Sequence, residues 1–252
     1  MAHSRYSAGI HAVARLVDTM PDKLRRVYVD ERVKNPRLLE LTEAAKAAGV
    51  AVQRVRNRRL DDMAKGTTHQ GVVAEFADLQ PLDEAGLRSQ IEATLGEGGA
   101  PLLLLLDGVQ DPHNLGACLR TAEAAGVMAV IVPKRRSAPL TPAARKVASG
   151  AAELVPLVVV PSLARTLDWL GEYGVVRTAT SDQSETPIWS ARFTGPAALV
   201  LGAEDIGVAT ELAERCDASV RLPMAGQVES LNVSVATGIC LFEAVRQRTE
   251  AG

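Results

Sequence analysis

Aromatic side chains are nearly missing from this chain: Phe, Trp and Tyr together make up 3% of its 252 residues. Hydrophobic residues nonetheless reach 47%, enough to build one large or two modest domains around aliphatic side chains and alanine. Cysteine is as scarce. Cys118, Cys216 and Cys240 are scattered, odd in number and free of C-x-x-C spacing, which argues against a disulfide framework and a zinc site. Long apolar runs are absent too. Runs such as Leu102 to Leu106 are far too short to cross a bilayer, and no apolar segment of the signal-peptide kind follows Met1. These absences predict a reduced, cytoplasmic, soluble protein with no membrane partner.

The small net charge of −2 averages two unlike parts. Residues 1–78 carry 14 Lys and Arg against 10 Asp and Glu, net +4, and the remainder carries 14 against 20, net −6. Within the basic part, Arg54, Arg56, Arg58 and Arg59 crowd into six residues. Such a cluster suits phosphate contacts whose affinity falls with salt; it also suits a solvated edge between a strand and a loop.

Residues 6–76 alternate helix and strand signals and predict a small α/β unit. Ser7 to Val17 reads as a helix start with apolar periodicity, Val27 to Val29 as a strand, Pro36 to Ala48 as a helix closed by Gly49, and Val50 to Val55 and Val72 to Phe76 as strands. His69, beside Gln70 and Gly71, has the setting of a turn histidine with a structural hydrogen bond, or of a ligand contact. From residue 77 to 99 the chain turns polar, with Pro81, a helix-like stretch from Asp83 to Leu95 and a Gly-Glu-Gly-Gly run, which reads as a linker. That G-x-G lacks the preceding strand and following helix of a dinucleotide fingerprint.

The second domain, 100–252, opens on the leucine run, which predicts a strand buried on both faces of a parallel sheet. Asn114 stands where the next helix would be capped, Leu115, Leu119 and Ala122 form its buried stripe, and Arg120 lies beside that stripe, expected to reach the carboxyl edge of the strands. Further strand and helix signals follow to Ala197–Leu201, which runs into Gly202, Glu204 and Gly207. The last stretch, Leu222 to Gln247, starts as a loop with Pro223 and Gly226. It passes Ser230 and Asn232, either of which can cap, and becomes a helix apolar on several flanks. Gly238 in that helix suggests close approach by another backbone.

Three ordered stretches carry a resemblance: Asn114-Leu-Gly-Ala-Cys-Leu-Arg120, Gly202-Ala-Glu204 with Gly207, and Leu222-Pro-Met-Ala-Gly226 followed by Ser230-Leu-Asn232-Val-Ser-Val-Ala236. They resemble the three motifs of the SpoU (TrmH) branch of the SPOUT RNA methyltransferases. Outside them, the opening YSAGIHAV, the THQG segment and the closing SLNVSVATGICLFEAVRQR resemble the members of that branch that methylate guanosine 2′-OH in large-subunit (23S) ribosomal RNA. One departure is present: the second motif usually has glycine after the glutamate, and here Asp205 and Ile206 follow Glu204.

The resemblance implies an N-terminal L30e/L7Ae-like RNA-binding domain and a C-terminal parallel-sheet domain tied in a trefoil knot, assembled as a homodimer. It implies S-adenosylmethionine as methyl donor, no metal, and ribosomal RNA as partner. By position, Gly202, Leu222, Met224 and Leu231 would contact the donor, and Asn114, Arg120, Glu204, Ser230 and Asn232 would form the catalytic set. Arg120 is the activator proposed for the family; because a guanidinium hardly ever loses its proton, a role in holding phosphate and stabilising the developing alkoxide suits it better. Glu204 would fix Arg120 or its own loop. Arg54, Arg56, Arg58 and Arg59, with Lys134 and Arg135 of a Lys134-Arg135-Arg136 triplet, would hold RNA backbone. Transfer RNA, an antibiotic-target loop of ribosomal RNA, and a non-catalytic RNA-binding role are the alternatives.

Overall fold

Each leucine of the Leu102–Leu106 run is at most 2% exposed in the computed structural model, which describes residues 6–32, 35–76, 82–204, 206–228 and 230–251. The chain divides into two units between Gln80 and Pro81.

The first unit runs β1 (Tyr6–Ala8), α1 (Ile10–Thr19), β2 (Leu24–Asp30), α2 (Pro36–Ala47), β3 (Ala51–Val55), α3 (Asn57–Ala64) and β4 (Val72–Phe76). Its sheet has the order β1-β4-β2-β3, with β2 and β3 parallel and the other pairs antiparallel. Two expectations shift here. The segment read as a helix start at Ser7 is an edge strand, because its backbone pairs with β4 (Tyr6 opposite Glu75), and the helix begins only after Gly9, whose φ of 104° breaks the strand. Arg58 and Arg59, read as strand or loop, lie on the short helix α3, which buries Leu60 and Ala64 under the sheet. Around that core, the Tyr28 hydroxyl donates to Glu75 Oε2 at 2.6 Å, and the Arg26 and Arg59 guanidinium groups stand 5.8 Å from the Tyr28 ring. Burial, then the Glu75 carboxylate, raises the Tyr28 pKa. His69 makes the structural bonds expected of a turn histidine: Nδ1 accepts from Gly71 N, and Nε2 lies 3.0 Å from Asp61 Oδ1.

The second unit runs α4 (Glu84–Gly96), β5 (Leu102–Asp107), α5 (Pro112–Ala124), β6 (Ala129–Pro133), α6 (Pro142–Ala148), α7 (Ala151–Leu154), β7 (Leu157–Val160), α8 (Leu163–Glu172), β8 (Val176–Thr180), β9 (Ala197–Gly202), α9 (Thr210–Ala213), β10 (Ala218–Val220) and α10 (Val233–Ala251). All six strands are parallel, in the order β10-β8-β9-β5-β6-β7. The leucine run is split by the pleat: Leu102, Leu104 and Leu106 face a core made with α5 and α10, while Leu103 and Leu105 face one made with α4 and α8. A strand covered by helices on both faces has no polar side to show.

The stretch expected to be a linker is largely a docked helix. In α4, Leu87 and Ile91 are fully buried beside Leu103 and Leu105, and Glu84 accepts from Trp169 Nε1 at 2.8 Å. One helical turn separates Leu87 from Ile91, so both point to the same sheet face. Residues 77–81, at the start of that stretch, lie outside the described residues.

Helix α10 closes the unit. Near its end, Arg248 donates from Nε to Phe193 O, from Nη1 to Ala100 O and from Nη2 to Gly195 O at 2.7–2.8 Å, tying the entries of β5 and β9 to the last helix. Cys118 and Cys240 lie buried between α5 and α10, and burial pushes their thiols up to about 11 and about 12. These are packing residues, not nucleophiles. Gly238 does not meet another backbone as expected; a Cβ there would find only Thr121 Cγ2, at 3.7 Å. Among the described residues, no helix is long and apolar enough to cross a membrane.

Candidate active site

The carboxyl ends of β9, β5 and β6 stand side by side at the middle of the sheet, so the loops that follow them share one edge. Open parallel sheets bind ligands at that edge. After β5, Asp111 caps α5 by accepting from His113 N at 2.8 Å, with Pro112 at the first helical position. The sequence reading gave this capping role to Asn114. The Asp-Pro pair is the signal that assigns it correctly, and it leaves the Asn114 amide free for a longer reach.

After β9 the chain makes a tight turn, with Gly207 N donating to Ala203 O at 2.8 Å and Gly207 at φ 69°. Gly202 is required by proximity: a Cβ there would lie 1.8 Å from Gly207 C and 2.2 Å from Val208 N. Asp107, buried at the end of β5, accepts from Ala209 N at 3.0 Å and so fixes the far side of this turn. Sequence reasoning treated Asp107 only as the end of a strand. Asp205, the departure from the motif, lies outside the described residues; Ile206 next to it is 63% exposed.

The third loop ends at Asn232, which caps α10 through Oδ1, accepting from Ser234 N at 3.0 Å. Its Nδ2 turns the other way and donates to Glu204 Oε1 at 2.6 Å and to Asn114 Oδ1 at 3.0 Å. Asn114 Nδ2 donates to the same Glu204 Oε1 at 3.0 Å, and Val233 N does so at 3.2 Å. One carboxylate oxygen thus gathers three motifs, from positions 90 and 28 residues away. An ionised carboxylate accepts several N–H groups without needing a proton of its own.

The other expected site residues stand around this cluster. Arg120 is exposed about two turns farther along α5, and among the described residues it forms no hydrogen bond or ion pair. Glu204 therefore holds the loops, not Arg120. Ser230 and Met224 are exposed, and Leu222 and Leu231 are half-buried, with Leu222 against the α5–α10 core. Lys134 and Arg135 are exposed beyond β6. Among the described residues, no group of His, Cys, Asp and Glu is arranged to hold a metal ion.

In the first unit, Arg54, Arg56, Arg58, Arg59 and Asp62 line an open cleft of about 490 Å³. Arg56 lies 3.7 Å from Glu31, both largely exposed, whereas Arg54 and Arg58 have no acidic partner among the described residues.

Comparison with known proteins agrees with this division. Residues 101–242 match the SpoU rRNA methylase family, and residues 8–82 match the RNA 2′-O ribose methyltransferase substrate-binding family. The chain is 50% identical to the 23S rRNA (guanosine-2′-O-)-methyltransferase RlmB of Pseudomonas putida, over 95% of both chains. With the protein of the same name from Escherichia coli it shares 48% identity over 96% of this chain and 98% of the other. Among solved structures, an AdoMet-bound rRNA methyltransferase from Sinorhizobium meliloti superposes with a TM-score of 0.67 at 25% identity, covering 96% of this chain and 87% of that one. An RNA 2′-O ribose methyltransferase gives 0.68 at 26%, covering 98% and 90%. With its parallel sheet, its three loops meeting at Glu204 and a family match across more than half its length, the chain belongs to the SpoU rRNA methylase family.

Proposed function

We propose that this protein transfers the methyl group of S-adenosylmethionine to the ribose 2′-OH of a guanosine in 23S ribosomal RNA. The observation that carries this reading is the convergence of Asn114, Asn232 and Val233 N on Glu204 Oε1. The donor supplies an electrophilic methyl; the protein's part is alignment and charge. Gly202, Leu222, Met224 and Leu231 would hold the donor, with Gly202 entering the turn that the Gly207 N–Ala203 O bond closes. Asn114 and Asn232, locked by Glu204, present fixed polar groups to ribose or phosphate, and Ser230, exposed two residues before Asn232, adds a hydroxyl. Arg120 acts as a cation, not as a base: its planar guanidinium holds phosphate and stabilises the oxygen as the hydroxyl proton leaves to solvent.

The first unit is the RNA-holding domain, of the L30e/L7Ae type, with Arg54, Arg56, Arg58 and Arg59 on the backbone and Lys134 and Arg135 gripping it near the chemistry. A trefoil knot in the second unit belongs to the same reading and is supported by the family match over residues 101–242. A homodimer through α10 is supported by Val235, Phe242 and, on the adjoining turn, Trp189, which are 50%, 49% and 52% exposed in the single chain. Phe242→Glu is expected to shift the protein to monomer in sedimentation; an unchanged dimer would remove α10 as its interface. The enzyme acts in the cytoplasm, where ribosomal RNA is made.

The test is incubation of the purified protein with labelled donor and unmodified RNAs, followed by mapping of the methylated ribose. Label on one guanosine of 23S rRNA is expected. Label confined to transfer RNA, or no transfer, would overturn the reading.

A further inference from the structure

The loop after β6 is tied down at both ends. Ser137 Oγ donates to Pro133 O at 2.5 Å, and Ala138 N donates to Val109 O at 2.8 Å, beyond the end of β5. Between these ties Arg136 adopts φ 63°, the left-handed region that glycine enters freely and side-chain-bearing residues avoid. Its side chain does not follow Lys134 and Arg135 into solvent alone. A Cβ added to Gly108, which follows β5, would lie 3.6 Å from Arg136 Nη2 and 3.6 Å from Ala203 Cβ. The guanidinium therefore reaches from the end of β6 across the end of β5, toward the turn that carries Glu204.

Among the described residues no carboxylate neutralises it there. Asp107 holds Ala209 N, Glu204 Oε1 holds the three motif donors, and among the described residues Arg136 forms no hydrogen bond or ion pair. A planar fork of donors directed toward the turn that carries Glu204 is matched by a phosphodiester, the anion that every ribose in RNA carries on each side. We propose that Arg136 is a substrate-positioning residue whose guanidinium grips the phosphodiester beside the reacting ribose. This rests on the methyl-transfer reading above and assigns to it a contact that sets the height of the ribose over the donor.

The left-handed backbone supplies a clean variant, because Arg136→Gly removes the side chain while relieving φ strain. Single-turnover transfer is measured for wild type, Arg136→Gly and Arg136→Lys on a 23S rRNA fragment, natural or with an uncharged methylphosphonate at either linkage flanking the target guanosine. Arg136→Gly is expected to melt at or above the wild-type temperature, to bind S-adenosylmethionine as tightly, and to transfer about 100-fold more slowly. Arg136→Lys should recover only part of that loss, since an ammonium lacks the fork. Methylphosphonate at one linkage should slow wild type by a similar factor and the glycine variant hardly at all. A wild-type rate in Arg136→Gly, equal methylphosphonate effects in both proteins, or a loss explained by weaker donor binding would overturn the assignment. So would a loss cancelled by 7-deazaguanosine at the target, which would mark a base contact instead. Failure of the wild-type protein to methylate any RNA would instead remove the functional reading itself.

Discussion

Arg120→Ala is expected to slow methyl transfer about a thousandfold while leaving S-adenosylmethionine affinity within about twofold. The structure separates these two effects. Arg120 is exposed on α5 and holds nothing else in place among the described residues, so its removal leaves the helix, the Glu204 cluster and the donor edge standing. What disappears is the one cation of the first motif, and with it the compensation for charge that develops on oxygen as the C–O bond forms. A positioned donor or cation aimed at such charge contributes on the order of 10²–10³ in rate. Arg120→Lys should restore part of the rate, because a point charge replaces the fork. Single-turnover kinetics with donor titration by calorimetry checks this; near-normal turnover in Arg120→Ala would remove Arg120 from the mechanism.

Gly202→Ala should cost the second unit about 3 kcal/mol and, with it, most of the donor affinity. The added methyl would fall 1.8 Å from Gly207 C and 1.9 Å from Gly207 O, and both are backbone atoms of a turn closed by its own hydrogen bond. No side-chain rotation relieves such a clash. The turn must open, which moves Val208 and the Ala209 N–H that Asp107 holds, and carries Glu204 away from Asn114 and Asn232. For a unit of this size the loss corresponds to a fall in Tm of about 8 °C. Unchanged melting and unchanged donor binding in this variant would mean that the approach of residues 202 and 207 matters to neither fold nor site.

Local signals in the chain carry the fold further than they carry the site. An uninterrupted leucine run announces a strand covered on both faces, and the pleat then sends alternate leucines to different helices. Helix α10 is recognisable because it is apolar on several flanks. Helix α3 is not, since Asn57–Ala64 has few apolar residues and a run of Arg and Asp that reads as surface. The α4 segment reads as a helix, but nothing local says that Leu87 and Ile91 are docked rather than idle. The site is harder still. Asn114 and Asn232 are 118 residues apart, and no periodicity connects them; the family resemblance, not spacing, brought them into one set. Arg136 was visible only as part of a basic triplet, because its direction depends on a backbone conformation that side-chain chemistry does not encode.

The order in which the chain is synthesised gives the Glu204 cluster a temporal meaning. Its acceptor waits for Asn232 and for the backbone N–H of Val233, and the clasp that Arg248 makes on the entries of β5 and β9 comes later still. Every strand of the second sheet precedes Asn232 and Val233 in the chain, so the sheet is fully made while Glu204 Oε1 still lacks these two donors.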